Sequence, residues 1–334
     1  YTTAEAEAAL PLHTPVDVST PTEDGRGLRA TFVPAGHSLG SASVHLDIDH
    51  GAHSLLVSGD LGRGDHPLLP GPDRPPAAHT VLIESTYGDR IHRSVDADDE
   101  TMAQTISRAA GAGGSILIPA FAVDRTELVL LMLQRLMSDD RIPMLPVYVD
   151  SPMALRVLDV YRRAIDHGDP SVTHPKDVDF DPGGGLRACR SPEESMAIAD
   201  HVGPAIIVSA SGMATGGRVL HHLERMLPDP RNAVVLCGFQ AAGTRGRSLV
   251  DGARELRMHG RDVPVRALVT QLHSMSVHAD GDDLIAWIDR LAERPRRVHV
   301  VHGESSASST LADRLVTERG LDSSVAAPFD TVAI

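Results

Sequence analysis

What most constrains this chain is a recurring pattern of short apolar runs that stop abruptly at small polar residues. Leu55-Leu56-Val57 ends in Ser58-Gly59-Asp60, Val81-Leu82-Ile83 in Glu84-Ser85-Thr86, and Pro146-Val147-Tyr148-Val149 in Asp150-Ser151-Pro152. Ala205-Ile206-Ile207-Val208 gives way to Ser209-Ala210-Ser211-Gly212, and Val298-His299-Val300-Val301 to His302-Gly303-Glu304. Runs of this length, rich in β-branched residues, read as strands buried on both faces. Helical signals lie between them. Ser191-Pro192-Glu193-Glu194 spells an N-cap serine, a proline at the first helical position and a glutamate at the third. Ser151-Pro152 opens 153–164 in the same way, and 283–291 carries Leu284, Ile285, Trp287, Ile288 and Leu291 at helical spacing. Strands alternating with helices predict an α/β fold. Ligands of open α/β sheets collect beyond the carboxyl ends of the strands, where these polar residues would meet.

One stretch differs. Ala42, Val44, Leu46 and Ile48 alternate with Ser43, His45, Asp47 and Asp49. This predicts a half-exposed strand that turns at His50-Gly51 into the next run, an antiparallel hairpin on a mixed sheet. Residues 62–79, rich in Pro, Gly, Asp and His, read as a surface loop, and 165–190, ending in Gly183-Gly184-Gly185, as a second loop-like region. No internal repeat is visible.

At 334 residues the chain exceeds one ordinary core, which suggests one large domain or two interleaved ones. No run reaches the roughly 18 apolar residues of a membrane span. Two cysteines, Cys189 and Cys237, cannot build a disulfide framework, which points to a reducing, cytoplasmic setting. With 45 acidic against 31 basic side chains the formal net charge is −14. Proteins that hold duplex nucleic acid by bulk counterion release are normally basic, so a nucleic-acid role would rest on a local cleft. The single lysine, Lys176, leaves little material for Schiff-base chemistry. Aromatics at 3% argue against an extended base-stacking platform.

Three groups stand out chemically. His37 sits in the small-residue loop Pro34-Ala35-Gly36-His37-Ser38-Leu39-Gly40-Ser41, where Gly36 and Gly40 permit tight turns. Asp60 and His302 each stand just past a strand. Two imidazoles and a carboxylate suit zinc, whose catalytic sites use His and Asp/Glu and keep a position for water. Taken singly, each reads as an ordinary strand-end residue.

Their order and flanks change that reading. Gly-His-x-x-Gly-Ser at 36–41, Ser-Gly-Asp-x-Gly at 58–62 and Glu-Ser-Thr-Tyr-Gly at 84–88 resemble the β-CASP branch of the metallo-β-lactamase superfamily. Ile118-Pro119-Ala120-Phe121-Ala122-Val123, Val149-Asp150-Ser151-Pro152-Met153-Ala154, Ser211-Gly212-Met213-Ala214-Thr215-Gly216-Gly217-Arg218, Gly238-Phe239-Gln240, His278-Ala279-Asp280 and Val301-His302-Gly303-Glu304 follow in order. The resemblance covers residues 1 to about 320 and is closest to the shorter bacterial members. It implies an αββα metallo-β-lactamase sandwich, residues 1–88 and 277–334, interrupted by an inserted α/β β-CASP domain at 89–276, with the active site in the cleft between the two. It also implies RNA phosphodiester hydrolysis, with RNA as partner, two zinc ions in the full-length protein, no membrane, and room for a homodimer. Residue by residue, His37 would bind one zinc, Asp60 would bridge two, and His302 would bind the second. Glu84 matches the acidic motif at the entrance to the insert. His278 matches the histidine at its exit, which hydrogen-bonds that acid and is placed to protonate the leaving oxygen. Ser211, Gly212, Arg218 and Ser276 are the substrate-contact candidates, with Arg225, Arg231, Arg245 and Arg247 nearby, since arginine grips phosphate bidentately. His221-His222 reads as a packed helix pair.

The family's His-x-His-x-Asp-His signature, which supplies most of the zinc ligands, is absent; upstream stands only His13. With no initiator Met, this leads to the expectation of a truncated first domain, probe-able by a strand at 42–48 that lacks a neighbour, and of a chain inactive as given. The alternatives are a non-catalytic RNA-binding subunit of a processing complex and a DNA-directed nuclease of the same family.

Overall fold

The structure is a computed structural model that describes residues 2–25, 27–92, 95–173 and 178–332, Val95 by its backbone alone; Lys176 lies outside the described residues. Contacts divide the chain into two compact units. One comprises 1–66, 70–91 and 278–334, the other 67–69 and 92–277.

The first unit is built on a mixed seven-stranded sheet. Its order is Thr22–Glu23, Leu28–Pro34, Ala42–Ile48, His53–Val57, Thr80–Ile83, Arg297–Val300 and Ser323–Val325. The hairpin expected at 42–57 is present, with Val44 opposite Val57 and Ile48 opposite His53. Asp49, His50 and Gly51 close it with positive φ. Ala42–Ile48 does not lack a neighbour, however. Leu28–Pro34 pairs along its other side, from Leu28 against Ile48 to Pro34 against Ala42. Its alternation is also interrupted: Ser43 is the buried position, because its hydroxyl donates to the Ser58 carbonyl at 2.7 Å.

His53–Val57, Thr80–Ile83 and Arg297–Val300 are mutually parallel neighbours, so their carboxyl ends share one edge. Leu28–Pro34 runs antiparallel to Ala42–Ile48, which runs antiparallel to His53–Val57, so its carboxyl end reaches that edge too. Leu56, Val81, Ile83, Val298 and Val300 pack against Leu284, Trp287 and Ile288 of the helix Gly281–Asp289 and Leu311 and Leu315 of the helix Ser305–Arg319. The Gly281–Asp289 helix starts two residues before the apolar spacing suggested. Asp280 caps it and Asp283 completes a capping box.

The second unit carries a parallel six-stranded sheet in the order Leu268–Leu272, Ala233–Cys237, Ile116–Pro119, Ile206–Ser209, Val147–Asp150 and Leu186–Ala188. Its central strands are fully buried and apolar except for Ser209, as parallel strands covered on both faces must be. Pro152–Asp166 is capped by Ser151 and Pro192–Ala197 by Ser191 with Glu194 in a capping box, as their sequences predict. Two loop expectations change. The 165–190 segment contains the edge strand Leu186–Ala188, and the 62–79 segment, though irregular, buries Leu68 and Leu69.

Candidate active site

His37, Asp60, Glu84 and His302 each lie on a loop that leaves the shared sheet edge, while His278 stands just ahead of the helix Gly281–Asp289. Past Pro34 the chain turns at Gly36 (φ +67°) and Gly40 (φ +85°). Ser41 closes that turn, its hydroxyl accepting from the backbone N–H of His37 at 3.0 Å and of Ser38 at 3.1 Å. Past Val57, the Ser58 hydroxyl accepts from the Glu84 N–H at 3.0 Å, which ties the Asp60 loop to the Glu84 loop. Past Val300, the Ser85 N–H donates to the His302 carbonyl at 3.2 Å, and His302 itself adopts a left-handed backbone (φ +51°). Non-glycine residues held in that region cost energy and cluster at functional sites.

These loops gather around Asp60. Its carboxylate lies 3.1 Å from His302 Nδ1 and 3.9 Å from His37 Nε2. One donor atom each of His37, Asp60 and His278 falls within a 4.8 Å span, and so does one each of Asp60, Glu84 and His302. Asp60 is common to both sets. His278 therefore stands in a donor cluster as well as beside its acid: its ring is 4.3 Å from that of His37 and 6.3 Å from that of His302. Imidazoles with carboxylates suit a borderline ion such as zinc, whereas calcium and magnesium prefer all-oxygen shells.

Glu84 is the buried member, 1% exposed. Its carboxylate accepts from the Leu61 N–H at 2.6 Å and the Thr86 N–H at 3.3 Å, and faces His278 Nδ1 at 3.2 and 3.3 Å. Burial by itself would raise its pKa. The hydrogen bond and charge of His278, with the donors of Thr86 and Leu61, outweigh burial and hold it below the ordinary carboxylate range.

A residue that carries no chemistry holds these loops together. The Gly62 N–H donates to the Ala35 carbonyl at 2.8 Å, and Gly62 forms an antiparallel bridge with His278. A Cβ at Gly62 would overlap the Gly36 carbonyl and stand 2.7 Å from His37 N. The loops of His37, Asp60 and His278 thus meet at one glycine. The sequence signal for it was the second glycine of Ser-Gly-Asp-x-Gly.

The other candidates belong to the second unit. Ser211, Gly212 and Arg218 share the loop between Ile206–Ser209 and the helix Val219–Met226. Ser211 Oγ lies 3.1 Å from Thr215 Oγ1 and accepts from the Thr215 N–H, closing the loop on itself. Gly212 is packed so closely on Phe121 that a Cβ would stand 2.8 Å from its ring. Arg218 turns inward: it donates to Asp150 Oδ1 at 2.7 Å and to the carbonyls of Cys189 and Arg190. Asp150, fully buried, also receives His222 Nε2 at 2.7 Å and Ser195 Oγ at 2.6 Å. Desolvation would raise this carboxyl, but the donors of His222, Ser195 and Arg218 hold it low. Arg231 pairs with Asp229 and Arg247 with Asp251 on the surface. Ser276 is buried. His221 and His222 are not a packed pair: His222 faces Asp150, while His221 is exposed and stacks on His259.

Family models match this chain twice, as a Beta-Casp domain over residues 126–249 and as a Zn-dependent metallo-hydrolase RNA specificity domain over 262–328. A protein named ribonuclease TTHA0252 from Thermus thermophilus is 36% identical over 315 residues, covering 92% of this chain and 70% of its own length. The chain belongs to the β-CASP metallo-β-lactamase family. An RNase J-like protein of Methanocaldococcus jannaschii is 32% identical and covered over 66% of its length. The transcription termination factor FttA of Pyrococcus abyssi is 30% identical and covered over 49%. The β-CASP chain thus spans between about half and about two thirds of the length of most of these relatives. The two family models and the ribonuclease-named relatives support a nucleic-acid hydrolase, and the second model's description brings in zinc. Among the described residues no helix is long and apolar enough to cross a membrane.

Proposed function

We propose that this β-CASP chain supplies one part of a zinc-dependent ribonuclease site, with His37, Asp60 and His302 as metal ligands and Glu84 and His278 as the proton-handling pair. The observation that carries the reading is Asp60 flanked by His37 and His302, with the Glu84–His278 pair beside them. Zinc, when bound, acidifies water and offsets charge on the phosphate.

The chain's own residues do the rest. Buried Glu84, held ionised by the Leu61 and Thr86 N–H groups and by His278, accepts a hydrogen bond from His278 Nδ1–H and fixes the ring's orientation and tautomer. Nε2 is then the atom that passes a proton to the departing oxygen of a cleaved phosphodiester. Asp60 turns one oxygen to each imidazole, Oδ2 to His37 and Oδ1 to His302. The 334 residues contain no His-x-His-x-Asp-His set, so on this reading they hold the ion weakly and are inactive by themselves.

The test uses this sequence joined to a His-x-His-x-Asp-His segment ahead of Tyr1. Cleavage of labelled RNA and of the same sequence as DNA is followed, together with zinc content. Asp60→Asn should lose zinc and activity together. His278→Ala should lower turnover by about a hundredfold and keep its zinc. Loss of zinc in His278→Ala would make it a ligand. Binding of RNA without cleavage of either polymer would favour the non-catalytic subunit, and cleavage of DNA alone the DNA nuclease.

A further inference from the structure

The second unit carries a donor cluster that the ribonuclease reading does not use. His221 and Glu224 lie three positions apart on the helix Val219–Met226, so their side chains share one face. His259 comes from the turn between the strands Glu255–Met258 and Arg261–Pro264, which pair as an antiparallel hairpin. Its Nδ1 stands 3.0 Å from Glu224 Oε2, and its ring stacks on that of His221 at 4.7 Å between centroids and 21° between planes. One donor atom from each of the three falls within a 4.8 Å span.

We propose that His221, Glu224 and His259 form a second divalent-metal site, of the zinc class, that clasps the 255–264 hairpin to the Val219–Met226 helix. Two imidazoles and one carboxylate are the donor set of three-ligand zinc sites with a fourth position left to water. That set excludes calcium and magnesium as preferred occupants. Bonds of about 2 Å in a tetrahedron put donors roughly 3.3 Å apart, so the two exposed imidazoles and the half-buried Glu224 need only small adjustments.

The turn gives a second reason. His259 has φ +44° and Gly260 φ +79°, the pair of left-handed residues of a type I′ hairpin. Asn or Gly serves that turn better than histidine. The imidazole at this turn is thereby held over the ring of His221 and beside Glu224, where a shared cation would meet all three.

Equilibrium dialysis of the 334-residue chain against zinc tests this, with His259→Asn and His221→Gln as the variants. Asparagine tolerates the left-handed turn and glutamine the helix, so both variants keep the fold. The wild-type chain should hold one zinc equivalent more than either variant, and zinc should raise its melting temperature more than theirs. Asp60→Asn, which addresses the proposed ribonuclease centre, should keep this equivalent. Failure of that centre and failure of this clasp are therefore separately visible. Equal zinc content in wild type and both variants, a loss in only one variant, or equal occupancy by magnesium would overturn the site.

Discussion

Replacing Gly62 by alanine tests how the proposed metal-binding loops are held. The added Cβ would overlap the Gly36 carbonyl and approach His37 N to 2.7 Å, and both are backbone atoms that no rotamer change can move aside. Gly36 cannot retreat, because a Cβ there would already meet the backbone of Pro70, Gly71 and Pro72 at 2.7–2.8 Å, so the loops around it are packed backbone to backbone. The His37 and Asp60 loops must therefore part by about 1 Å, in an interior that does not yield freely. Overpacking of this kind costs about 1–3 kcal/mol. The Gly62–Ala35 hydrogen bond adds about 1 kcal/mol if it breaks. A total of about 3 kcal/mol is expected, read from urea unfolding midpoints. The same movement shifts His37 relative to Asp60 by far more than the roughly 0.2 Å latitude of a metal–ligand bond, so zinc dialysed onto the Asp60 centre should fall with stability. A Gly62→Ala chain with wild-type midpoint and zinc content would refute the close-approach argument.

Two further perturbations address the second unit. Burial pushes the Glu127 carboxyl, on the helix Arg125–Ser138, up to about 8 from an ordinary 4.5. The native state thus keeps a proton that the unfolded chain releases, and stability should fall by about 5 kcal/mol as pH rises from 4.5 to 8. Glu127→Gln should flatten that slope in urea melts at pH 5 and 8, and an unchanged slope would refute the assignment. Asp150→Ala leaves Arg218 and His222 without their shared carboxylate, and should cost about 3–5 kcal/mol and loosen the 211–218 loop in hydrogen exchange. A loss below about 1 kcal/mol would show that the network contributes little.

How much of this was legible in the sequence depends on the range of the interaction that decides each feature. Strands announced themselves because their apolar runs end at once in polar residues, and the helix starts at Ser151 and Ser191 because a cap is a local contact. The leftward start of the Gly281–Asp289 helix was missed, since a glycine opens it and the cap is an aspartate that also belongs to the His278-Ala279-Asp280 motif. The neighbour of Ala42–Ile48 was missed for a different reason. Leu28–Pro34 mixes Arg29, Thr31 and Pro34 among its apolar residues, and it becomes a strand by pairing along its whole length.

Side-chain direction lies further still from the sequence. Arg218, beside two glycines and ahead of a helix, has the setting of a phosphate contact. What decides its direction is Asp150, 68 positions away at the end of another strand, buried and in need of cationic donors. The same carboxylate separates two adjacent histidines. A helix turns by about 100° per residue, so His222 can reach inward to Asp150 only if His221 points away, toward Glu224 and His259. The doublet that looked like one packed feature is thereby divided between a buried polar network and an exposed donor cluster. Asp150 thus fixes the loop that carries Ser211 and Gly212 and also sets which histidine is presented to solvent, so a change at this one carboxylate should be felt both in the loop and at the clasp.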